Sequence, residues 1–116
     1  MAIHADPGAE VAAVVVNYNA RDALVRCVQS LRADGVGTVV VVDNDSQDGS
    51  GEALAAADPE ARWLPTGANL GFGTGANRGV ATVATPYVLI LNPDVEIEPG
   101  TVKALFDALE RNPGVA

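Results

Sequence analysis

The sequence predicts an α/β fold with a doubly wound, mainly parallel sheet and helices on both faces. Val39–Val42 is a run of four β-branched residues without polar alternation, which is typical of a strand covered on both faces. Short apolar runs also alternate with segments of helical periodicity along the chain. Acids and amides follow at once in Asp43–Ser50. Because open α/β sheets bind ligands beyond the carboxyl ends of their strands, we expect the functional site at this edge.

Eight elements are predicted, alternating between strand and helix. Each strand is a short apolar run, and each helix has apolar residues at 3.6 spacing. A strand joined to the next through a helix is almost always parallel to it, as in a Rossmann-like sheet. The predicted strands are Val11–Val16, Thr38–Asp43, Arg62–Leu64 and Pro86–Leu91, and the predicted helices run from Asn19 to Gly35, Ser50 to Ala57, Phe72 to Val83 and Pro99 to Asn112.

Smaller features refine this prediction. Residues 1–10, including His4, show no periodicity and are expected to form a flexible leader before one domain at 11–116. Asn19 is the expected N-cap of the first helix. Glycine is so frequent between residues 66 and 79 that we expect a close backbone approach there.

Composition limits the class of protein. The chain has 116 residues, 48% of them hydrophobic and 4% aromatic, so one domain with a core of Val, Leu and Ala is expected. The net charge of −8 argues against nucleic acid, which is held by clustered Lys and Arg. Cys27 is the single cysteine and lies on an apolar helical stripe, so it is expected to be a packed core thiol. No apolar run suits a membrane span, so a cytoplasmic protein is expected.

Several familiar motifs can be set aside. Gly71–Ala76 fits the dinucleotide pattern G-x-G-x-x-A, but that pattern belongs in the first βα turn. The run from Asp43 fails as a calcium loop because its twelfth position is Leu54 rather than Glu. A phosphate-binding loop of the G-x-x-x-x-G-K-[ST] type does not occur in the sequence. A receiver domain would need paired acids after the first strand, where the chain has amides.

Polar side chains follow three of the predicted strands. Each alone is typical of a turn or a cap, but parallel strands end at one edge of a sheet, so we expect these side chains to share a crevice. They are Asn17–Asn19, Asp43–Asp45 and Asn92–Asp94, together with Asn69, Asn77 and Arg78 from the glycine-rich segment.

Four motifs in this order resemble the inverting family-2 glycosyltransferases: Val14–Asn19, Val41–Ser50, Asn69–Gly79 and Leu91–Asp94. The resemblance covers Val11–Ala116. It implies the amino-terminal, nucleotide-sugar-binding half of a GT-A fold, and hence a truncated domain.

The resemblance also implies roles for individual residues. Asp43 would hydrogen-bond the base, since the N3–H of uracil or thymine is a donor that a carboxylate can read. Asp94 would bind Mg²⁺ or Mn²⁺ on the donor diphosphate, with Asn92 as a weaker ligand. Asp45 and Asp48 are expected to be turn and cap residues. The other nucleotide-binding residues would be Asn17, Asn19, Asn77 and Arg78.

The implied reaction is transfer of a hexosyl group, with rhamnosyl favoured, from a dTDP- or UDP-sugar to a glycan or polyprenyl-linked acceptor in cell-wall polysaccharide biosynthesis. The family's catalytic base is a carboxylate in the second half of the domain and is expected beyond Ala116. The expected location is the cytoplasm, where the protein could also attach peripherally to the inner face of the membrane.

Two other readings stay open. A catalytically inert module could self-associate into a homo-oligomer through an exposed sheet edge or the surface left by the missing half. A nucleotidyltransferase-like domain would need a glycine-rich, basic first βα loop, which Asn17–Arg21 does not provide.

Overall fold

The computed structural model describes residues 6–114, which form a four-stranded parallel sheet between two layers of helices. The strand order is β3-β2-β1-β4, so β1 is central and the short β3 is an edge strand. The predicted α/β class and its four parallel strands are confirmed. The strands are β1 (Val11–Asn17), β2 (Thr38–Asp43), β3 (Arg62–Pro65) and β4 (Tyr87–Leu91).

Five helices are present in the described residues. Three of them, α2, α3 and α5, pack on one face of the sheet, and α4 covers the other. None of these helices combines the length and apolarity needed to cross a bilayer. The helices are α1 (Pro7–Glu10), α2 (Arg21–Ala33), α3 (Ser50–Ala57), α4 (Gly71–Val80) and α5 (Thr101–Arg111).

Side chains of β1 and β2 alternate between two cores. Val15 and Val41 pack in the larger core with α2, α3 and α5. Val14, Val40 and Val42 form the smaller core on the α4 face. Because both faces are covered, these strands need no polar positions, which accounts for their uninterrupted apolar sequence.

The strand order reverses between β1 and β4. The chain first adds β2 and β3 on one side of β1 and then crosses back through α4 to place β4 on the other side. In doubly wound sheets, ligands bind at the carboxyl edge beside such a reversal. The fold therefore predicts a ligand site beside the segments that follow β1 and β4.

Part of the expected flexible leader is helical instead. Pro7–Glu10 forms α1, and Asp6 caps it by accepting the Gly8 amide at 3.0 Å. Gly8 is buried, and its carbonyl accepts the Gly37 amide at 3.1 Å. A cap, a proline in the first helical turn and a tertiary hydrogen bond together fix this segment. Residues 1–5, including His4, lie outside the described residues.

The predicted N-cap of α2 is wrong. The helix begins at Arg21 after Ala20, and Asn19 has a left-handed φ of 50°. The side-chain oxygen of Asn19 accepts the Gln47 amide at 2.8 Å, so a tertiary partner replaces the local cap. Asp48 supplies the missing acceptor, because its carboxylate accepts the Arg21 amide at 3.2 Å.

Within the glycine-rich segment, helix α4 (Gly71–Val80) lies close to the sheet, as the composition predicts. A Cβ built on Gly75 would lie 3.0 Å from Val16 Cγ1, and one on Gly79 would lie 2.4 Å from Val14 Cγ1. These glycines therefore set the helix-to-sheet spacing. The predicted bounds, Phe72 to Val83, extend beyond this helix, which ends at Val80; Val83 packs on the smaller core from outside it, and Phe72 is 47% exposed.

Candidate functional site

A buried polar cluster joins the carboxyl ends of β1 and β2. Asn17 is fully buried and Asp43 is 4% exposed, at neighbouring positions in the sheet. The Asn17 side-chain amide donates to Asp43 Oδ1 at 3.0 Å. Two sequence-predicted site residues are thus in direct contact.

Ser46 connects this pair to the loop after β1. Its hydroxyl lies 2.5 Å from Asp43 Oδ1 and accepts the Asn19 amide at 2.8 Å. Its own amide donates to Asp43 Oδ2 at 2.9 Å. The Asn17 amide nitrogen also reaches the hydroxyl, at 3.2 Å. Asn19, the third predicted residue, therefore belongs to the same network through its backbone.

Asn17 Oδ1 is a buried acceptor with no hydrogen-bond partner among the described residues. A buried acceptor without a partner costs about 1–3 kcal/mol of stability. Native structures keep few such groups, and these often lie at sites that bind water or a ligand. The orphaned oxygen belongs to the side chain that holds Asp43.

Asn44 is a second buried amide at this edge, 3% exposed. Its side-chain nitrogen donates to the Gly71 carbonyl at 3.0 Å, and its oxygen accepts the Thr66 hydroxyl at 3.2 Å. Its backbone amide donates to the Asn17 carbonyl at 2.9 Å. Asn44 therefore ties the start of α4 to the ends of three strands.

Asp45 and Asp48 occupy turn and cap positions. Asp45 has a left-handed φ of 70°, and its side chain is exposed. Asp48 accepts the Ser50 amide at 3.1 Å at the start of α3, in addition to the Arg21 amide of α2. Partial burial acts to raise the pKa of Asp48, but hydrogen bonds from Ser50 and the Arg21 amide lower the pKa below its usual value.

An open cleft of about 230 Å³ lies at the strand-order reversal. Two half-exposed aromatic side chains, Tyr18 and Phe72, border it. Apart from the Tyr18 hydroxyl its polar side-chain groups are amides, and it has no cationic side chain among the described residues that line it. The lining residues are Val16, Tyr18, Asn44, Asn69, Gly71, Phe72, Asn92 and Pro93.

Asn77 and Arg78 lie elsewhere. Both line a separate cavity of about 490 Å³, together with Leu64–Thr66 at the end of β3. The ends of β3 and β4 are three strand spacings apart, roughly 14 Å. The structure therefore does not bring Asn77 and Arg78 together with Asn92.

The loop carrying Asn92 and Asp94 is anchored on one face of α2. The Cys27 thiol contacts the Asn92 carbonyl at 3.9 Å, and the Ser30 hydroxyl accepts the Ile97 amide at 3.1 Å. Asp34, one turn further on, accepts the amides that begin α5. Asp94 itself is exposed. The helix therefore fixes the ends of the loop and leaves its carboxylate accessible.

Cys27 is a packed core thiol, as expected. Burial, with the charges of Asp94 and Glu96, raises its pKa to about 11 from 9.0. At pH 8 the folded protein should thus react with iodoacetamide at least about 100-fold more slowly than the denatured chain, because the thiolate is the nucleophile. Equal rates, measured by mass spectrometry, would contradict this assignment.

The same shift makes stability depend on alkaline pH. The unfolded chain loses its thiol proton first, near pH 9, whereas the folded chain keeps it until about pH 11. The stabilisation from Cys27 is thus complete below pH 9 and is lost as the pH rises to 11. Cys27→Ala should show a smaller decline in unfolding free energy over this range, measured by urea denaturation.

The described residues contain no group of three His, Cys, Asp or Glu side chains suited to a metal ion. A metal site built from protein side chains alone is thus absent from the described part of the chain. Mg²⁺, however, is commonly held by one or two carboxylates plus substrate phosphates. An exposed Asp94 beside a cleft without cations fits that mode of binding.

Ser46 is the site residue that sequence reasoning missed, whereas Asn44 falls within the predicted group Asp43–Asp45. Both lie in the polar run after β2, where ten successive small and polar residues look alike. Only its hydrogen bonds to Asp43, Asn17 and Asn19 distinguish Ser46 from its neighbours. A hydroxyl three positions after a strand-end aspartate was the available signal.

The sequence of the chain is similar to those of known glycosyltransferases and polysaccharide biosynthesis proteins. The family model for glycosyl transferase family 2 matches residues 12–116. The chain is 37% identical over 113 residues to N-acetylglucosaminyl-diphospho-decaprenol L-rhamnosyltransferase of Mycobacterium tuberculosis, a match covering 86% of this chain and 37% of that protein. It is 31% identical over 101 residues to the succinoglycan biosynthesis protein ExoO of Rhizobium meliloti, covering 84% of this chain and 29% of that protein.

A solved structure shares the fold. TarS residues 1–349 of S. aureus superpose with a TM-score of 0.79 at 20% identity, covering 90% of this chain and 33% of that solved chain. This chain thus spans about a third of the length of the proteins it matches. The match over residues 12–116 establishes that the chain belongs to glycosyl transferase family 2.

Proposed function

We propose that the chain is the nucleotide-sugar-binding part of a glycosyltransferase that moves a rhamnosyl group from a dTDP- or UDP-sugar to a lipid-linked glycan. The observation that carries this proposal is the buried Asp43, which Asn17 and Ser46 hold at the carboxyl end of β2, directly before Asn44 of the cleft lining. The rhamnosyltransferase relative, whose name specifies a decaprenol-linked acceptor, supports the choice of sugar and acceptor.

In this proposal Asp43 accepts the N3–H of the base, and Asn17 and Asn19 hold the loops around it. Tyr18 and Phe72 offer flat apolar surfaces at the cleft, against which a base or a sugar ring can pack. Asn77 and Arg78 remain a prediction of the family resemblance, since they line the cavity beside β3.

We assign the proposed Mg²⁺ or Mn²⁺ to Asp94, with Asn92 as a weaker ligand. The ion would offset the charge of the donor diphosphate, which the described lining of the cleft cannot do. Asp94 is exposed next to that cleft, and the anchoring of its loop on α2 keeps its position defined.

The proposed reaction is a direct displacement. The acceptor hydroxyl attacks the anomeric carbon, a carboxylate base takes its proton, and the bond to the nucleotide diphosphate breaks. We place this base beyond Ala116, since the chain spans about a third of its relatives. The lipid-linked acceptor suggests work at the cytoplasmic face of a membrane.

Self-association is a second candidate property, because β4 is an open edge strand. Ile90 on this strand is 42% exposed, and Leu105 of α5, which lines a cavity with Val88 and Leu89 of the strand, is 46% exposed. Unpaired strand edges and apolar surface favour contacts between copies. Sedimentation velocity showing a monomer at all concentrations would reject this candidate without affecting nucleotide binding.

Calorimetric titration tests the donor site. The chain should bind dTDP or UDP more tightly with Mn²⁺ than without it. Asp43→Ala should weaken binding by at least about tenfold with or without metal, because the contact is a charge-assisted hydrogen bond. Asp94→Ala should abolish the increase in nucleotide affinity that Mn²⁺ gives and should leave the affinity without metal unchanged.

Glu98→Ala is the matched control for Asp94, being an exposed carboxylate of the same loop. It should leave both titrations unchanged. If no nucleotide binds under any condition, the donor-site proposal is wrong; if Asp94→Ala keeps the full metal effect, the metal assignment is wrong.

A further inference from the structure

We propose that Ser46 is a positioning residue that leaves Asp43 able to accept one hydrogen bond from a base, and that the site therefore selects uracil or thymine against guanine. The inference rests on the proposed function, in which Asp43 reads the base. It adds a residue and a rule of selectivity that follow from counting donors and acceptors in the buried cluster.

The hydroxyl of Ser46 has a defined direction. A serine hydroxyl has one donor and two acceptor positions. The Asn19 amide, at 2.8 Å, and the Asn17 side-chain amide, at 3.2 Å, occupy both acceptor positions. Its proton is thus left for Asp43 Oδ1, at 2.5 Å.

The acceptor capacity of Asp43 is nearly filled as a result. A carboxylate offers about four lone-pair positions, two on each oxygen. Oδ1 accepts from the Asn17 amide and from the Ser46 hydroxyl, and Oδ2 accepts from the Ser46 backbone amide. One position remains, on Oδ2.

That single acceptor distinguishes the bases. Uracil and thymine present one donor, N3–H, between two carbonyl groups, whereas guanine presents two adjacent donors, N1–H and the 2-amino group. A carboxylate can accept both guanine donors only if each oxygen has a free lone pair. With Oδ1 filled, the second guanine donor would lose its bond to water without gaining a partner, which is unfavourable.

The loops around Ser46 are held in an unusual conformation by these contacts. Asn19 and Asp45 have φ values of 50° and 70°, and they are the two non-glycine residues with positive φ among the described residues. Asn19 donates its amide to Ser46, and Asp45 precedes Ser46 directly. Such conformations persist where surrounding contacts fix them, so the serine has little freedom to turn away.

Titration of UDP, dTDP and GDP into wild-type and variant chains tests the inference. The wild type should bind the pyrimidine diphosphates at least about tenfold more tightly than GDP, the worth of one unmade hydrogen bond. Ser46→Ala should weaken UDP binding, since Asp43 loses a donor that orients it. It should also reduce the ratio of UDP affinity to GDP affinity, by a factor of about ten, since Oδ1 regains a free lone pair.

Two further variants separate positioning from a general structural role. Ser46→Thr keeps the hydroxyl and should keep the ratio. Ser50→Ala removes a serine at the start of α3 whose hydroxyl contacts a different carboxylate, Asp48, at 2.5 Å. It should lower thermal stability much as Ser46→Ala does and leave the UDP-to-GDP ratio unchanged.

The outcomes are distinct. An unchanged ratio in Ser46→Ala, in a chain that binds UDP, overturns the role of Ser46 and leaves the proposed function standing. Equal wild-type affinities for UDP and GDP overturn the selectivity rule alone. Absence of binding by every nucleotide overturns the proposed function and, with it, this inference.

Discussion

Replacing Gly79 with alanine is expected to lower the free energy of unfolding by about 3 kcal/mol, the upper range for overpacking a core. The new Cβ would lie 2.4 Å from Val14 Cγ1 and 2.8 Å from Val42 Cγ2. Both valines are fully buried in the two central strands, so neither can turn away. Helix α4 would have to move off the sheet. Urea denaturation followed by circular dichroism measures the loss.

Gly73→Ala in the same helix is the matched control. A Cβ at Gly73 meets nothing within 4 Å. Because alanine is a better helix former than glycine, this variant should gain about 0.5–1 kcal/mol. Equal stability of the Gly79 variant and the wild type would show that α4 does not pack against the sheet as described.

Asp34→Ala should cost about 2 kcal/mol, because the carboxylate caps a helix distant in sequence. Asp34 Oδ1 accepts the Gly100 amide at 2.7 Å, and Oδ2 accepts the Val102 amide at 2.8 Å. The N-cap of α5 is glycine and has no side chain to do this. The negative charge also suits the positive end of the helix. Thermal and urea unfolding should both shift.

Asp107→Ala serves as the control for Asp34, since Asp107 forms an ion pair with Lys103 on the exposed side of α5. Such a pair contributes about 0.3–0.5 kcal/mol. Hydrogen exchange should show faster exchange at residues 92–102 in the Asp34 variant only. Similar exchange in both variants would mean that Asp34 does not anchor this loop.

Strands and most helix bounds could be predicted because burial on both faces leaves a direct mark on the sequence. The apolar runs of β1 and β2 have no polar positions, and Ser50–Ala57 coincides with α3. The convergence of the groups that contain Asn17 and Asp43 at one edge also followed, since parallel strands end at the same edge. These predictions depend on local pattern and on one rule of topology.

The predictions were wrong where a contact with a residue distant in the sequence determines the local structure. Asn19 has the side chain of a helix cap, but it accepts the Gln47 amide from another loop. The role of Arg78 stays a prediction: this residue follows the start of α4 by seven residues, which puts it about 10 Å along the helix from the carboxyl edge of the sheet. A sequence motif shows that such residues are near one another in the chain, and not which cavity each of them lines.

The central position of β1 also sets an order of assembly. Its pairing with β2 needs only the chain up to Asp43, whereas its pairing with β4 joins Val11 to Tyr87, over most of the chain length. Closing the longer loop is entropically more costly and contributes to slow folding. During synthesis, the Asn17–Asp43 pair can therefore form well before the cleft beside β4 exists. The part of the site proposed to read the base would then be complete while the sugar and metal side is still being made.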